Sequence, residues 1–197
     1  MNAAGFPRAA TALVLARPSP AAMAINVIAF QVGWFACVLG AAYGTPWIGT
    51  AVAIAVVSVH LARSIAPGAE LKLIGAAVLI GAVWDSMLAA SGWLAFNPGS
   101  LEGGYAPHWI LGLWALFATT LNVSLGWLQG RWLLATVLGA FAGPLSYWGG
   151  ARLGALTLVE PVPALAALAI GWAVFMPALM ALARRYDGVH PGRRSAT

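Results

Sequence analysis

Charge is what this chain has least of. Only 8% of its 197 residues are charged, where a soluble domain carries roughly 25%, so it cannot cover itself with a water-facing surface. Its one cysteine, Cys37, excludes an internal disulfide framework and a thiolate-rich zinc centre. Lying in an apolar run, Cys37 reads as a small buried hydrophobe. Three histidines are too few for the clustered ligands of a membrane di-iron oxygenase. His60 and His108 fall near opposite ends of their helices, which argues against a haem held by both. His60 reads as an interfacial anchor or helix-end partner. The one lysine, Lys72, is at a helix boundary and not deep in one, as a retinal Schiff base requires. Neither a phosphate-cradling glycine loop nor a "GxSxG" elbow occurs. The formal charge is +5, but the basic residues are scattered without interleaved aromatics, so nucleic acid is not an expected partner. No cofactor or metal is expected.

What the chain does have is apolar length. Hydrophobic residues make up 61% of it, with ten tryptophans and twenty-three glycines, a composition suited to membrane helices. Six apolar runs follow one another: about 24–43, 46–62, 73–96, 108–128, 132–149 and 162–183. Most reach the roughly 20 residues that cross a hydrocarbon core. Their unbroken apolarity excludes membrane strands. The expected fold is all-α, a compact bundle of six transmembrane helices. The stretch "GGARLGALTLVE" (149–160) is too short to cross and predicts a surface-lying or re-entrant half helix between the fifth and sixth spans, with a seventh crossing as the alternative. Residues 1–22 read as a cytoplasmic arm or an over-long gene start before Met23, residues 23–185 as one transmembrane domain, and 186–197 as a polar tail.

Charge placement orients the bundle. With a cytoplasmic start, Arg8, Arg17, Arg63, Lys72, Arg131, Arg184, Arg185, Arg193 and Arg194 lie inside and only Arg152 outside, as positive-inside sorting requires. The expected location is a bacterial inner membrane with both termini cytoplasmic. Trp47, Trp93, Trp109 and Trp148 then form an outer aromatic belt, and Trp127 and Trp132 an inner one.

One charge does not fit the belts. Asp85, in "LIGAVWDSMLAASGW", comes out about 18–20 Å from the cytoplasmic end at 1.5 Å per residue. Thr119 and Trp172 reach about the same depth, and Gln31 and Asn122 about 10–14 Å. Pro144 and Pro177 each free a carbonyl in that slab. An unpaired carboxylate facing lipid there costs at least about 2.5–3.5 kcal/mol, so Asp85 is expected to turn into the bundle. With no arginine or lysine at its level, it must accept from hydroxyls, indoles or water, or else carry a proton. Asp85 is therefore the candidate catalytic group, as general acid or base, or simply a helix-locking hydrogen-bond acceptor. Gln31 and Asn122 are candidate orienting amides, Trp84, Trp114 and Trp172 apolar walls, and Thr119 and Tyr147 further polar contacts. Gly139, Gly143 and Tyr147 share a helix face at four-residue spacing, a pattern of close helix packing.

Three segments, "FQVGWFACVLGAA" (30–42), "LWALFATTLNVSLGWL" (113–128) and "GPLSYWGGARLGAL" (143–156), resemble the bacterial inner-membrane family catalogued as domain of unknown function 2878. The resemblance implies a polytopic membrane protein and carries no catalytic residues with it. It tilts the reading toward lipid modification or envelope maintenance. The expected function is binding, and in one version modifying, a lipidic or small apolar molecule in a mid-membrane pocket, with membrane lipids as the surrounding partners. A small proton-coupled transporter and a non-catalytic scaffold or subunit are the alternatives. Whether a reaction is catalysed, and whether subunits pair, is not fixed by the residues.

Overall fold

A computed structural model describes residues 18–97 and 105–190. The described residues form six α-helices: α1 (Pro20–Ala42), α2 (Pro46–Arg63), α3 (Pro67–Ala90), α4 (His108–Ala118), α5 (Trp132–Arg152) and α6 (Pro161–Arg185). Four of them, α1, α2, α3 and α6, begin with a proline in the first turn, where its missing N–H costs no hydrogen bond. Ser19 caps α1, its hydroxyl accepting from Ala22 N at 3.2 Å. A tight turn through Gly44, at φ 74°, folds α2 back on α1. α5 and α6 form a second hairpin. Between them sits α4, packed against α1, α2 and α3, with Trp109, Trp114, Leu116 and Ala118 buried.

The bundle is an all-α membrane architecture. Helices α1, α2, α3 and α6 are long and apolar enough to cross a bilayer. Large apolar side chains such as Ile28, Ile54, Leu79, Phe141 and Ile170 point outward, a surface that only lipid solvates well. Helix α5 has 21 residues but is diluted by glycine and polar groups, and α4 is an apolar helix of only 11.

Several sequence expectations need correction. The run expected as a continuous fourth span, 108–128, is helical only to Ala118, then turns through 119–125 into a 3₁₀ turn, Gly126–Leu128. The residues explain the break. Thr119 and Thr120 hydroxyls donate back to the carbonyls of Leu116 (2.7 Å) and Phe117 (2.6 Å), which offers the backbone an alternative to the helix. Asn26 of α1 then takes over the freed groups, donating to the Thr119 carbonyl at 3.2 Å and accepting from Ser124 N at 3.3 Å and Ser124 Oγ at 2.6 Å. Irregular backbone at this depth persists only when its polar groups are so satisfied.

The half helix expected at 149–160 is also replaced. Helix α5 runs on to Arg152, and Leu156–Leu158 forms a strand, β2, paired antiparallel with β1 (Leu94–Phe96) in the register Leu94↔Leu158 and Phe96↔Leu156. β-branched and leucine residues after Gly154, at φ 90°, suit an extended exit better than another helical turn. The third helix starts at Pro67 and not near Leu73, which brings Glu70 into its first turn. Trp109, assigned to the outer belt, is 1% exposed and meets Phe96 edge-on at 5.8 Å. Trp47, by contrast, is 69% exposed. The polar tail begins later than expected, because Asp187 and His190 are buried. The arm expected at 1–22 ends earlier, because α1 already begins at Pro20; its residues 1–17, together with 98–104 and 191–197, lie outside the described residues.

Glycines set the core spacing. The indoles of Trp114 and Trp172 stack at 4.8 Å with 13° between planes. A Cβ at Gly81 of α3 would strike the Trp114 ring, and one at Gly143 of α5 would strike the Trp172 ring. The two rings are therefore sandwiched between bare backbones of α3 and α5. Gly139 lies one turn from Gly143, and a Cβ there would strike the Trp172 carbonyl oxygen, so the small face of α5 does mark close packing. Trp84 repeats the device against Gly171 of α6. We predict that Gly81→Ala lowers stability by about 1–3 kcal/mol through overpacking. Gly75→Ala, where a Cβ meets no neighbour within 4 Å, should be neutral or slightly stabilising. Thermal unfolding in detergent, followed by near-ultraviolet circular dichroism, separates them; equal behaviour would mean the ring sandwich is not a spacing constraint.

Candidate functional site

Asp85 lies one turn beyond Gly81 on the same face of α3, so the indole that Gly81 admits can reach it. Trp114 Nε1 donates to Asp85 Oδ2 at 2.7 Å, and the Tyr147 hydroxyl donates to Asp85 Oδ1 at 2.5 Å. Tyr147 lies one turn beyond Gly143, so the same logic applies on α5. Asp85 has no exposed surface. Its two acceptor oxygens are matched by one indole and one phenol, with no cation in the arrangement. The carboxylate thus joins α3 to α4 and α5 across the stacked rings.

Beside this pair opens a cavity of about 540 Å³ between α1, α4, α5 and α6. Phe30, Trp34, Trp109, Trp114, Phe117 and Trp172 give it aromatic walls, and Gly139, Gly143, Gly149 and Gly150 give it a smooth opposite side. Its few polar contributors are Gln31, Thr120, Ser124, Ser146 and Tyr147. Trp34 bridges the gap between α1 and α5, its Nε1 donating to Ser146 Oγ at 3.0 Å. Of the residues singled out from sequence, Gln31, Trp114, Tyr147 and Trp172 line the cavity. Asp85 stands behind it, screened by Trp114 and Tyr147. Trp84 is elsewhere, edge-on to Phe175 at 5.0 Å, and Thr119 spends its hydroxyl on its own turn.

Asn122 belongs to a second centre that the sequence reading missed. Glu70 is fully buried. Its Oε1 accepts from Asn122 Nδ2 at 2.8 Å and from Gly188 N at 2.7 Å, and its Oε2 lies 2.9 Å from His60 Nε2. Gln129 Nε2 donates to Asn122 Oδ1 at 2.8 Å and holds that amide in place. The Gly188 carbonyl accepts from Ala66 N at 2.9 Å, which closes the knot between α2, α3, the unwound segment and the chain after α6. The available signal was spacing: His60 and Glu70 flank the "SIAPG" turn that brings α2 and α3 together. Glu70 drew no assignment because the third span was started near Leu73, which left it outside the helix. Among the described residues no cluster of three or more His, Cys, Asp or Glu is placed to hold a metal ion.

The family's sequence profile, described as a protein of unknown function (DUF2878), matches residues 23–178, and the chain belongs to that family, a bacterial family of multi-pass membrane proteins. No curated protein and no solved structure matches it.

The two carboxylates should respond differently to mutation. Tyr147→Phe leaves one Asp85 oxygen without its donor and should cost about 1–3 kcal/mol. Glu70→Ala strands an imidazole, an amide and a backbone N–H together and should cost about 3–5 kcal/mol. Glu70→Gln, which keeps an acceptor for Asn122 and Gly188, should cost clearly less. Denaturation midpoints of the detergent-purified variants test the order; Glu70→Ala at wild-type stability would dissolve the knot as a structural element.

Proposed function

We propose that this chain is a six-span bacterial inner-membrane protein, with residues 23–185 as one transmembrane domain, that binds a lipidic or small apolar molecule between α1, α4, α5 and α6. The cavity carries the reading. Its volume, about 540 Å³, falls in the range of about 300–1,000 Å³ usual for small-molecule sites. Its walls are nearly all rings, aliphatic groups and glycine backbone, and it lies among apolar helices open to the bilayer. Asp85 acts as the anchor that fixes Trp114 and Tyr147 in the cavity wall.

Topology is supported by what meets at each end. The end of α2, the start of α3, Asn122 and Gly188 gather around Glu70. β1 and β2 pair where α3 and α5 finish. Counting α5 and the unwound continuation of α4 as crossings gives six passages, with the start of α1 and the end of α6 on the Glu70 side. Arg63, Lys72, Arg131, Arg184 and Arg185 belong to that side and Arg152 to the other, so the Glu70 side is cytoplasmic. The inner tryptophans agree: Arg131 lies over Trp127 at 5.7 Å and Arg184 over Trp132 at 6.0 Å. A second reading, a small proton-coupled transporter, is favoured by the broken fourth passage, since interrupted helices line transport sites in many carriers.

Two measurements test these readings. A fluorescent protein fused after Thr197 should glow and alkaline phosphatase fused there should be inactive; the reverse result overturns the orientation. Gly149→Leu should narrow the cavity beside Trp34, since a Cβ at Gly149 meets that ring at an ordinary 3.7 Å and the larger side chain extends from there. Native mass spectrometry of gently extracted protein should find bound lipid on the wild type and at least tenfold less on G149L. Equal occupancy would remove the cavity from the function.

A further inference from the structure

The polar groups that line the cavity have, for the most part, already given their protons away. Among the described residues, no Lys, Arg, His, Asp or Glu lines the cavity. Four hydroxyls are: Thr120, Ser124, Ser146 and Tyr147. A hydroxyl has one hydrogen to donate and two lone pairs to accept with. Thr120 donates its hydrogen to the Phe117 carbonyl at 2.6 Å, Ser124 to Asn26 Oδ1 at 2.6 Å, and Tyr147 to Asp85 Oδ1 at 2.5 Å. Those three oxygens can only accept from a further partner.

The indole donors are similarly withdrawn. Trp34 is spent on Ser146 and Trp114 on Asp85. The Nε1 atoms of Trp109 and Trp172 have no hydrogen-bond partner but are buried, with less than 1 Å² of surface each, so they are withdrawn by burial and present no N–H to an occupant. Two accessible side-chain donors are left, the Ser146 hydroxyl and the amide of Gln31, which is exposed on α1. A carboxylate or phosphate is acceptor-only and would leave water for a site with no counter-charge and little to receive from. An alcohol brings the hydrogen that these oxygens lack.

Resting on the pocket reading above, we propose that the occupant is an uncharged lipid whose polar group donates a hydrogen bond, a long-chain alcohol, and that the pocket rejects the anionic lipid of the same chain. The discrimination comes from Asp85 and Asn26, neither of which lines the cavity. Each accepts the proton of a lining hydroxyl and so turns that hydroxyl's lone pairs toward the occupant.

The test uses one chain with three head groups on the full-length protein in detergent at pH 9. 9,10-Dibromostearyl alcohol, its methyl ether and 9,10-dibromostearate are titrated against tryptophan fluorescence, which bromine quenches on contact with Trp34, Trp109, Trp114 or Trp172. G149L supplies the level of quenching that comes from lipid-facing tryptophans alone. Above that level, the alcohol should reach half-saturation at a concentration at least tenfold below the carboxylate, with the ether several-fold weaker than the alcohol. Carboxylate binding equal to or tighter than alcohol overturns the inference and leaves the pocket reading standing. Ether and alcohol binding alike overturns the donor requirement. If no chain quenches wild type beyond G149L, the pocket reading falls and this inference with it.

Discussion

The bundle depends on a carboxylate that has no cation. Asp85 is held by an indole and a phenol, and each of those donors is aromatic, so the groups that satisfy the charge also supply the apolar bulk around it. In hydrocarbon this solves two problems at once. A lone Asp would be costly at that depth, and an arginine partner would bring a second charge to desolvate. The geometry then propagates. Trp114 can reach Asp85 only because Gly81 leaves room for its ring, and Tyr147 rises from a face kept bare by Gly143 so that Trp172 can lie flat. Positions of α3, α4, α5 and α6 are fixed relative to one another by one carboxylate, two stacked rings and two glycines.

A different rule governs the half of the bundle around Glu70. There the chain between α4 and α5 gives up helical hydrogen bonds, and side chains replace them: Asn26 for Thr119 and Ser124, Gln129 for Leu121. Glu70 finishes the accounting by taking Asn122 and the Gly188 amide. The unwound segment is buried at Thr119, Thr120, Leu121, Asn122 and Ser124, so it could not be left to water. The interruption is thus a built feature, with side-chain partners for the Thr119 and Leu121 carbonyls and the Ser124 N–H. It also places Thr120 and Ser124 at the cavity, which an unbroken helix would have aimed differently.

Much of this was readable before any coordinates. Six helical runs, the inward turn of Asp85 and its dependence on indoles and hydroxyls follow from apolar length and from the absence of a nearby cation. The close packing of the Gly139–Gly143–Tyr147 face follows from small residues one turn apart. What could not be read was of two kinds. Hydropathy does not report where a helix unwinds, because "TTLNVSLGW" is apolar enough to continue; only the competition of Thr, Asn and Ser for backbone groups marks the break. Nor does it report which polar residues meet. Depth counting put Asn122 in a layer with Gln31, yet lateral position assigns Asn122 to Glu70 and Gln31 to the cavity. Depth is one coordinate of three, and Glu70, left outside the third span, shows the cost of missing the other two.

The two carboxylates also divide the labour between holding and presenting. Glu70 accepts from one amide and a backbone N–H, lies 2.9 Å from His60 Nε2 and has none of these contacts at the cavity, so its role ends in holding chain segments together. Asp85 accepts from two residues that do line the cavity. Whatever sits in that space meets Trp114 and Tyr147 in orientations that Asp85 decides, without touching Asp85. A buried acceptor behind the wall commits the wall's hydrogens inward and leaves its lone pairs outward. Exchanging it for a donor would reverse that polarity while altering no lining residue. Selectivity at such a site is therefore set one residue back from the surface, where a sequence comparison restricted to pocket-lining positions would not look.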